Sequence, residues 1–283
     1  MASERIAVVT GASAGIGEAT ARELAGRGWR CVLLARRADR LERLAGELGG
    51  EWETCDVRAR EAVDGVAARV LERHPEIGLL VNNAGVPGRG TFVSTSPDTV
   101  ERVLETNYLG CVWCARAFLP GLRAAAAEAG GTAHVVNVVS VAGTIAFAPA
   151  GPYAAAKHAQ LAFSRSLAAT LRPERIQVHT LLPGFVETEG FRPRSNLRSG
   201  LMRRFVIDAD DVARALVRAV ENGRREVTVP WFPYRLVSVF QVLFPGACSR
   251  TWSGATGTRP GRRTDAQSYG PGLRATYQPI STS

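Results

Sequence analysis

Tyr153 and Lys157 stand four residues apart in the run Tyr153-Ala154-Ala155-Ala156-Lys157. On a helix, residues i and i+4 share a face, so this spacing points a phenol and an ammonium into one site. A tyrosine of ordinary pKa, about 10, is a poor proton carrier at neutral pH. A cation beside it favours the phenolate and tunes it for acid–base work. Tyr-x-x-x-Lys is common by chance, but composition sharpens it here: Lys157 is the single lysine among 35 basic side chains. A compact ammonium with rotatable donors can hold a ribose and sit beside a phenol, where a planar guanidinium fits less well. Ser140 ends the fifth predicted strand, Ala133–Val139, upstream of Tyr153. Its hydroxyl can hydrogen-bond a substrate oxygen; a serine in such a place can equally be a cap or a turn residue.

A second constellation lies near the N-terminus. Gly11, Ser13, Ala14, Gly15, Ile16 and Gly17 form a glycine loop of spacing Gly-x-x-x-Gly-x-Gly. An apolar run, Ile6–Thr10, precedes it and a helical pattern follows. Glycines there permit a tight turn and let the backbone approach a pyrophosphate, which the free N–H groups of the helix N-terminus then face. An ordinary strand–helix turn would also use glycine; the position after a first strand favours a dinucleotide. The second strand ends Leu34-Ala35-Arg36-Arg37. An acid at that point grips a ribose 2′-hydroxyl, whereas arginine accommodates a 2′-phosphate. Arg36 and Arg37 without an acid point to NADP rather than NAD.

The elements that must position these groups read as alternating strands and helices. Strands are predicted at Ile6–Thr10, Cys31–Leu34, Glu51–Cys55, Leu79–Val81, Ala133–Val139, Ile176–Leu182 and Glu226–Val229. Helices are predicted between them, including a long stretch from Pro97 to about Glu128 and another over Tyr153–Leu171. Such alternation means parallel βαβ units. The expected fold is α/β, a Rossmann-type doubly wound parallel sheet of about seven strands with helices on both faces, in a single domain. That domain is expected over residues 1–230, followed by an apolar extension at 231–248 and a disordered tail at 249–283, rich in Gly, Arg, Ser, Thr and Pro.

Composition narrows the function classes. Hydrophobic residues make up 46%, enough for a large core. The net charge of +9 is unevenly spread: residues 1–191 balance 20 basic against 20 acidic side chains, while residues 192–283 hold 15 arginines against 6 acids. No aromatic-basic interleaving marks a nucleic-acid module, so no nucleic-acid partner is expected. Met1–Glu4 is short and polar and reads as no targeting segment. Five cysteines, an odd number, read as reduced thiols of a cytoplasmic protein, and Cys111 and Cys114 three apart are poor evidence for a metal, so none is expected. Trp231–Phe244 is apolar all round on a helix, which normally means burial. At this length it is too short to span a bilayer. It is expected to cover the substrate cleft or pack on another subunit first, and to rest on a membrane surface second.

With these motifs in order, residues 5–230 resemble the short-chain dehydrogenase/reductase family. The resemblance implies an oxidoreductase moving a hydride between NADP and a carbonyl or alcohol, with Ser140, Tyr153, Lys157 and Asn107 as its catalytic set. It assigns Asp56 and Val57 to the adenine, and Asn83, Ala84 and Gly85, after Asn82, to the sheet and the cofactor side. Pro183 and Gly184 form the turn against the nicotinamide, with Val186 and Thr188 near its carboxamide. Asn107, in Glu105-Thr106-Asn107, supports a water linking Lys157 to solvent. In the family's serine motif the first serine is often present; here it is Val139, while Ser140 is retained. In reduction, Ser140 holds the oxygen, Tyr153 protonates it, and Lys157 lowers the tyrosine pKa and binds ribose; oxidation reverses the steps. Val141, Ile145, Phe147 and Phe185 suggest an apolar pocket and a lipophilic substrate. Glu187–Phe205 resembles the family's lid; its arginines 192, 194, 198, 203 and 204 read as a solvated charge run before anion recognition. A homodimer or homotetramer through the helices around Asn107 and Lys157 is implied. The alternatives are an NAD-linked alcohol dehydrogenase and a catalytically idle dinucleotide-binding scaffold.

Overall fold

Seven parallel strands form the central sheet in the order β3-β2-β1-β4-β5-β6-β9. They are β1 (Arg5–Thr10), β2 (Trp29–Ala35), β3 (Glu51–Thr54), β4 (Leu79–Asn82), β5 (Ala133–Val138), β6 (Ile176–Pro183) and β9 (Glu226–Val229). Two short strands, β7 (Val186–Glu187) and β8 (Ile207–Asp208), make a separate parallel pair. The computed structural model of the protein describes residues 4–88, 90, 94–146, 150–189 and 204–244. The tail at 249–283, most of the lid segment and Phe147 therefore lie outside the described residues.

The strand sequences explain the three layers. Ile6 and Val8 of β1 point into one core with Val63, Phe118 and Leu171, while Ala7 and Val9 point into the other with Leu24, Leu41 and Leu216. Side chains of a strand alternate between faces, so a strand buried on both sides must be apolar throughout. One face carries α3 (Arg60–Arg73), α5 (Gly110–Ala117), α6 (Leu119–Ala127) and α7 (Gly151–Leu171). The other carries α1 (Gly15–Ala25), α2 (Ala38–Leu48) and α8 (Ala209–Glu221). Helix α8 starts in a reciprocal capping box between Asp208 and Asp211. The edge strand β3 is bounded by ion pairs from Glu51 and Glu53 to Arg30, Arg69 and Arg73, a charged edge that resists pairing with other chains.

Two elements depart from the regular pattern. The helical stretch after Pro97 is not continuous: α4 (Pro97–Leu104) passes through a π turn at Glu105–Leu109 before α5. The apolar segment after β9 forms α9 (Tyr234–Leu243), and within this one chain only a narrow face of it is covered. Tyr234 and Ser238 are buried, but Trp231, Phe232, Leu236, Val239, Phe240, Val242, Leu243 and Phe244 are exposed. Periodicity registers apolar side chains on every side of this helix; it does not register that only one narrow face meets the domain.

Candidate active site

The sequence motifs converge at the C-terminal ends of the strands, where open α/β sheets form their ligand crevice. Gly11 follows β1, Arg36 and Arg37 follow β2, Asp56 lies just beyond β3, Asn83–Gly85 follow β4, Ser140 follows β5, and Pro183–Gly184 end β6.

On the cofactor side the loop after β1 is held at backbone level. The buried Thr10 hydroxyl donates to Val81 O at 3.2 Å and accepts from the backbone N–H groups of Asn83 and Ala84, each at 3.0 Å. Asn83 Nδ2 returns to Thr10 O at 3.0 Å and Gly11 O at 3.3 Å. Gly11 has φ +67°, and a Cβ there would lie 2.8 Å from Ala84 Cα; a Cβ on Gly17 would lie 2.3 Å from Gly11 O. Both positions exclude any side chain. Helix α1 begins at Ala14 with no side-chain cap, leaving its first N–H groups open. Arg37 Nε donates to Ser13 Oγ at 3.1 Å, and Arg36 is exposed beside it. Asp56 accepts from the Arg58 guanidinium at 2.7 Å, which holds its carboxyl below the usual range. Val57 is buried, with Gly110 of α5 against it.

On the other side, Tyr153 and Lys157 occupy one face at the start of α7, with Lys157 Nζ 5.7 Å from the Tyr153 ring centre. The buried ammonium donates to Val138 O at 2.9 Å and Gln160 Oε1 at 2.7 Å. Burial lowers its pKa to about 8, with Cys111 acting in the opposite direction. Burial raises the Tyr153 phenol above its ordinary value, and a hydrogen bond with Ser140 works against that rise. Ser140 Oγ accepts from Ala142 N–H at 3.1 Å. The turn that carries it, Val141–Gly143, comes close to α7 because residue 143 is glycine: a Cβ there would be 2.7 Å from Lys157 O. Ser140 is thereby set in place against the helix bearing Tyr153 and Lys157.

Asn107 sits fully buried in the π turn. Its Oδ1 accepts from Val86 N–H at 2.8 Å and its Nδ2 donates to Val86 O at 2.9 Å. A π turn inserts a residue and redirects side chains, and such turns gather at functional sites. Val186 is buried in β7, and Thr188 packs its methyl 3.2 Å from the position a Cβ would take on Gly15. The residues singled out in the sequence thus gather at one end of the sheet.

Sequence reasoning missed several members. Gln160, at i+3 from Lys157, was available from helix spacing. Arg40 pairs with Glu189 (Nη2 to Oε1 2.9 Å), linking α2 to the start of the lid segment. Tyr234 of α9 stacks on the end of β6 so closely that a Cβ on Gly184 would lie 2.2 Å from its ring, and no local signal predicts that contact.

Comparison with known proteins agrees with this layout. The short chain dehydrogenase family model matches residues 5–198. The bovine (Bos taurus) dehydrogenase/reductase SDR family member 7B is 36% identical over 194 residues, 65% of this chain. That match spans only 58% of the bovine protein. Among solved structures, a single-substitution variant of actinorhodin polyketide ketoreductase with NADPH superposes with a TM-score of 0.72 at 28% identity, covering 81% of this chain and 97% of that one. A short-chain dehydrogenase/reductase from Burkholderia phymatum in complex with NAD gives a TM-score of 0.75 at 27% identity, covering 94% and 98%. The glycine loop, the Tyr–Lys helix and these likenesses lead to one conclusion: the chain belongs to the short-chain dehydrogenase/reductase family.

Proposed function

We propose that the protein is an NADP(H)-dependent enzyme interconverting a carbonyl and a secondary alcohol on a lipophilic substrate. The observation that carries the reading is the meeting of Ser140, Tyr153 and the solitary Lys157 in one cleft beside the glycine loop. The cleft fits a dinucleotide: Gly11 and Gly17 leave a cradle that any Cβ would fill, and the α1 N-terminus is uncapped. Gly11 to Gly17 would hold the pyrophosphate, Asp56 and Val57 the adenine, and Arg36 and Arg37 the 2′-phosphate. Asn83, Ala84, Gly85, Pro183, Gly184, Val186 and Thr188 would border the nicotinamide end.

When bound, the nicotinamide supplies or accepts the hydride. The chain's own residues handle the proton and the oxygen. Ser140 donates a hydrogen bond to the substrate oxygen. Tyr153 passes its hydroxyl proton to that oxygen in reduction and takes it back in oxidation. Lys157, positive below its pKa of about 8, favours the phenolate left on Tyr153 and holds the ribose. Asn107, fixed at both ends by Val86, serves the proton path from Lys157 to solvent. Val141, Ile145 and Phe185 supply the apolar wall.

The enzyme works as a homodimer or homotetramer in a reducing, cytoplasmic setting. Tyr108, Trp113 and Phe163 stay partly exposed on the helices around Asn107 and Lys157, supporting the assembly. The four described cysteines are free and buried, supporting the compartment. Turnover of NADPH and NADH across a panel of ketones and aldehydes tests the reading. NADPH has the lower KM, and Arg36→Asp moves preference toward NADH by about tenfold, the loss of a charged contact to phosphate. Equal use of both cofactors by the unmodified protein refutes the NADP assignment, and no turnover with any carbonyl refutes the reaction.

A further inference from the structure

Helix α9 has two unlike faces. Its inner face is stitched to both loops that wall the substrate side. The Tyr234 hydroxyl accepts from Phe185 N–H and donates to Phe205 O, each at 3.3 Å. Ser238 and Thr144 share a hydrogen bond of 2.7 Å, and Gln241 Oε1 accepts from Ala146 N–H at 3.1 Å. Its outer face and flanks expose Trp231, Phe232, Val239, Phe240, Val242 and Leu243, with Val242 at 77% and Leu243 at 64% exposure. A contiguous aromatic and aliphatic patch of this kind marks an interaction surface.

Charge identifies what the patch meets. Helix α9 carries no acid, and its one cation, Arg235, is turned inward to Glu226 at 2.9 Å. The sequence that follows it is basic, and so is the segment that ends at Phe205, whose ring meets Phe232. Residues 190–205 hold five arginines and no acid, and residues 245–283 hold five arginines against Asp265 alone. We propose that this face docks on the surface of an anionic lipid bilayer. A short helix with a wide apolar face and arginine-rich flanks lies in the interface, its apolar side in the acyl boundary and its cations among the headgroups. Ten residues extend about 15 Å, half the hydrocarbon thickness, so the helix rests on the membrane without crossing it. Among the described residues no helix is long and apolar enough to cross. A second copy on the same patch would add a net-basic sequence to a net-basic one, and like charges oppose that pairing. Because the inner face holds Thr144, Ala146 and Phe185, docking sets the substrate side of the cleft against the lipid. The docking itself does not depend on which reaction the cleft runs.

The test is cosedimentation of the full chain with vesicles of phosphatidylcholine alone or with about a third phosphatidylserine. The chain pellets with the anionic vesicles, stays in solution with the neutral ones, and is released by salt. The paired change Val242→Asp/Leu243→Asp lowers vesicle affinity at least about tenfold, the loss of two inserted apolar side chains. NADPH binding, followed by fluorescence, stays unchanged in that variant, which separates lost docking from lost folding. Leu236→Ser/Val239→Ser gives the same loss from the other end of the face. A chain that ignores anionic vesicles overturns the proposal, as does equal binding by both paired variants. It is also overturned if sedimentation velocity finds an oligomer that the variants dissociate and vesicles never bind, because a second copy then covers the face.

Discussion

The half of the cleft proposed for the cofactor and the half proposed for the substrate are held by different contacts. Around the glycine loop the Thr10 hydroxyl and the Asn83 amide bond main-chain groups of the neighbouring turn, and glycines stand where a Cβ would strike main-chain atoms. Around the substrate half they come from the side chains of one distant helix, α9: Ser238 to Thr144, Gln241 Oε1 to Ala146 N–H, and the Tyr234 ring over Gly184. The short pairing of Val186 with Ile207 closes the neck of the lid segment between them. The contacts of the glycine loop need only Thr10, Asn83 and the glycines, so this half can be shared across a family that uses nicotinamide nucleotides. Side-chain contacts change with single substitutions, so the substrate half is where this chain becomes particular.

The comparison can be broken at the joint between the halves, where Lys157 serves both. Lys157→Arg keeps a positive charge but cannot reproduce an ammonium donating to Val138 O and Gln160 Oε1. Turnover should fall by about 10²- to 10⁴-fold, the scale of general acid–base catalysis. Steady-state kinetics check it, and normal turnover would remove the significance of the solitary lysine. A smaller effect is expected from Gly17→Ala, whose Cβ would lie 2.3 Å from Gly11 O and 2.5 Å from Asn83 Nδ2. NADPH affinity should drop about 10- to 100-fold by overpacking against backbone that cannot yield. Fluorescence titration reads it, and unchanged affinity would mean that the loop is not the cradle. The smallest effect belongs to Ser238→Ala. Thr144 keeps its bond to Val141 O, so the variant folds. Loss of the bonds to Thr144 and to Tyr234 O, about 1 kcal/mol each, should raise KM for bulky carbonyls at least about fivefold and leave NADPH affinity alone. An effect on NADPH affinity instead would mean that the two halves are not separately held.

Much of the fold is legible from local sequence because both faces of the sheet are covered. Runs such as Ile6–Thr10 and Ala133–Val139 are rich in valine and end at turn residues, and they became β1 and β5 within a residue at each end. The nucleotide loop is legible for a related reason: steric exclusion demands glycine, and glycine shows in a sequence. Other features depend on partners that no local pattern names. The π turn at Asn107 depends on Val86, and the two-residue strands β7 and β8 depend on each other. Helix α9 is the sharpest case. Its apolar residues predict a covered face, and most of them point away from this chain, because hydrophobicity records that a face avoids water without recording what covers it.

The central claim is that Tyr153 moves the proton in a cleft whose cofactor half does not depend on it. Tyr153→Phe removes one hydroxyl and leaves the ring, so the decisive measurement pairs NADPH binding with turnover in that variant. The account predicts binding within about twofold of the unmodified protein and turnover reduced by at least about 100-fold. Full activity of Tyr153→Phe with any carbonyl that the unmodified protein reduces would contradict it.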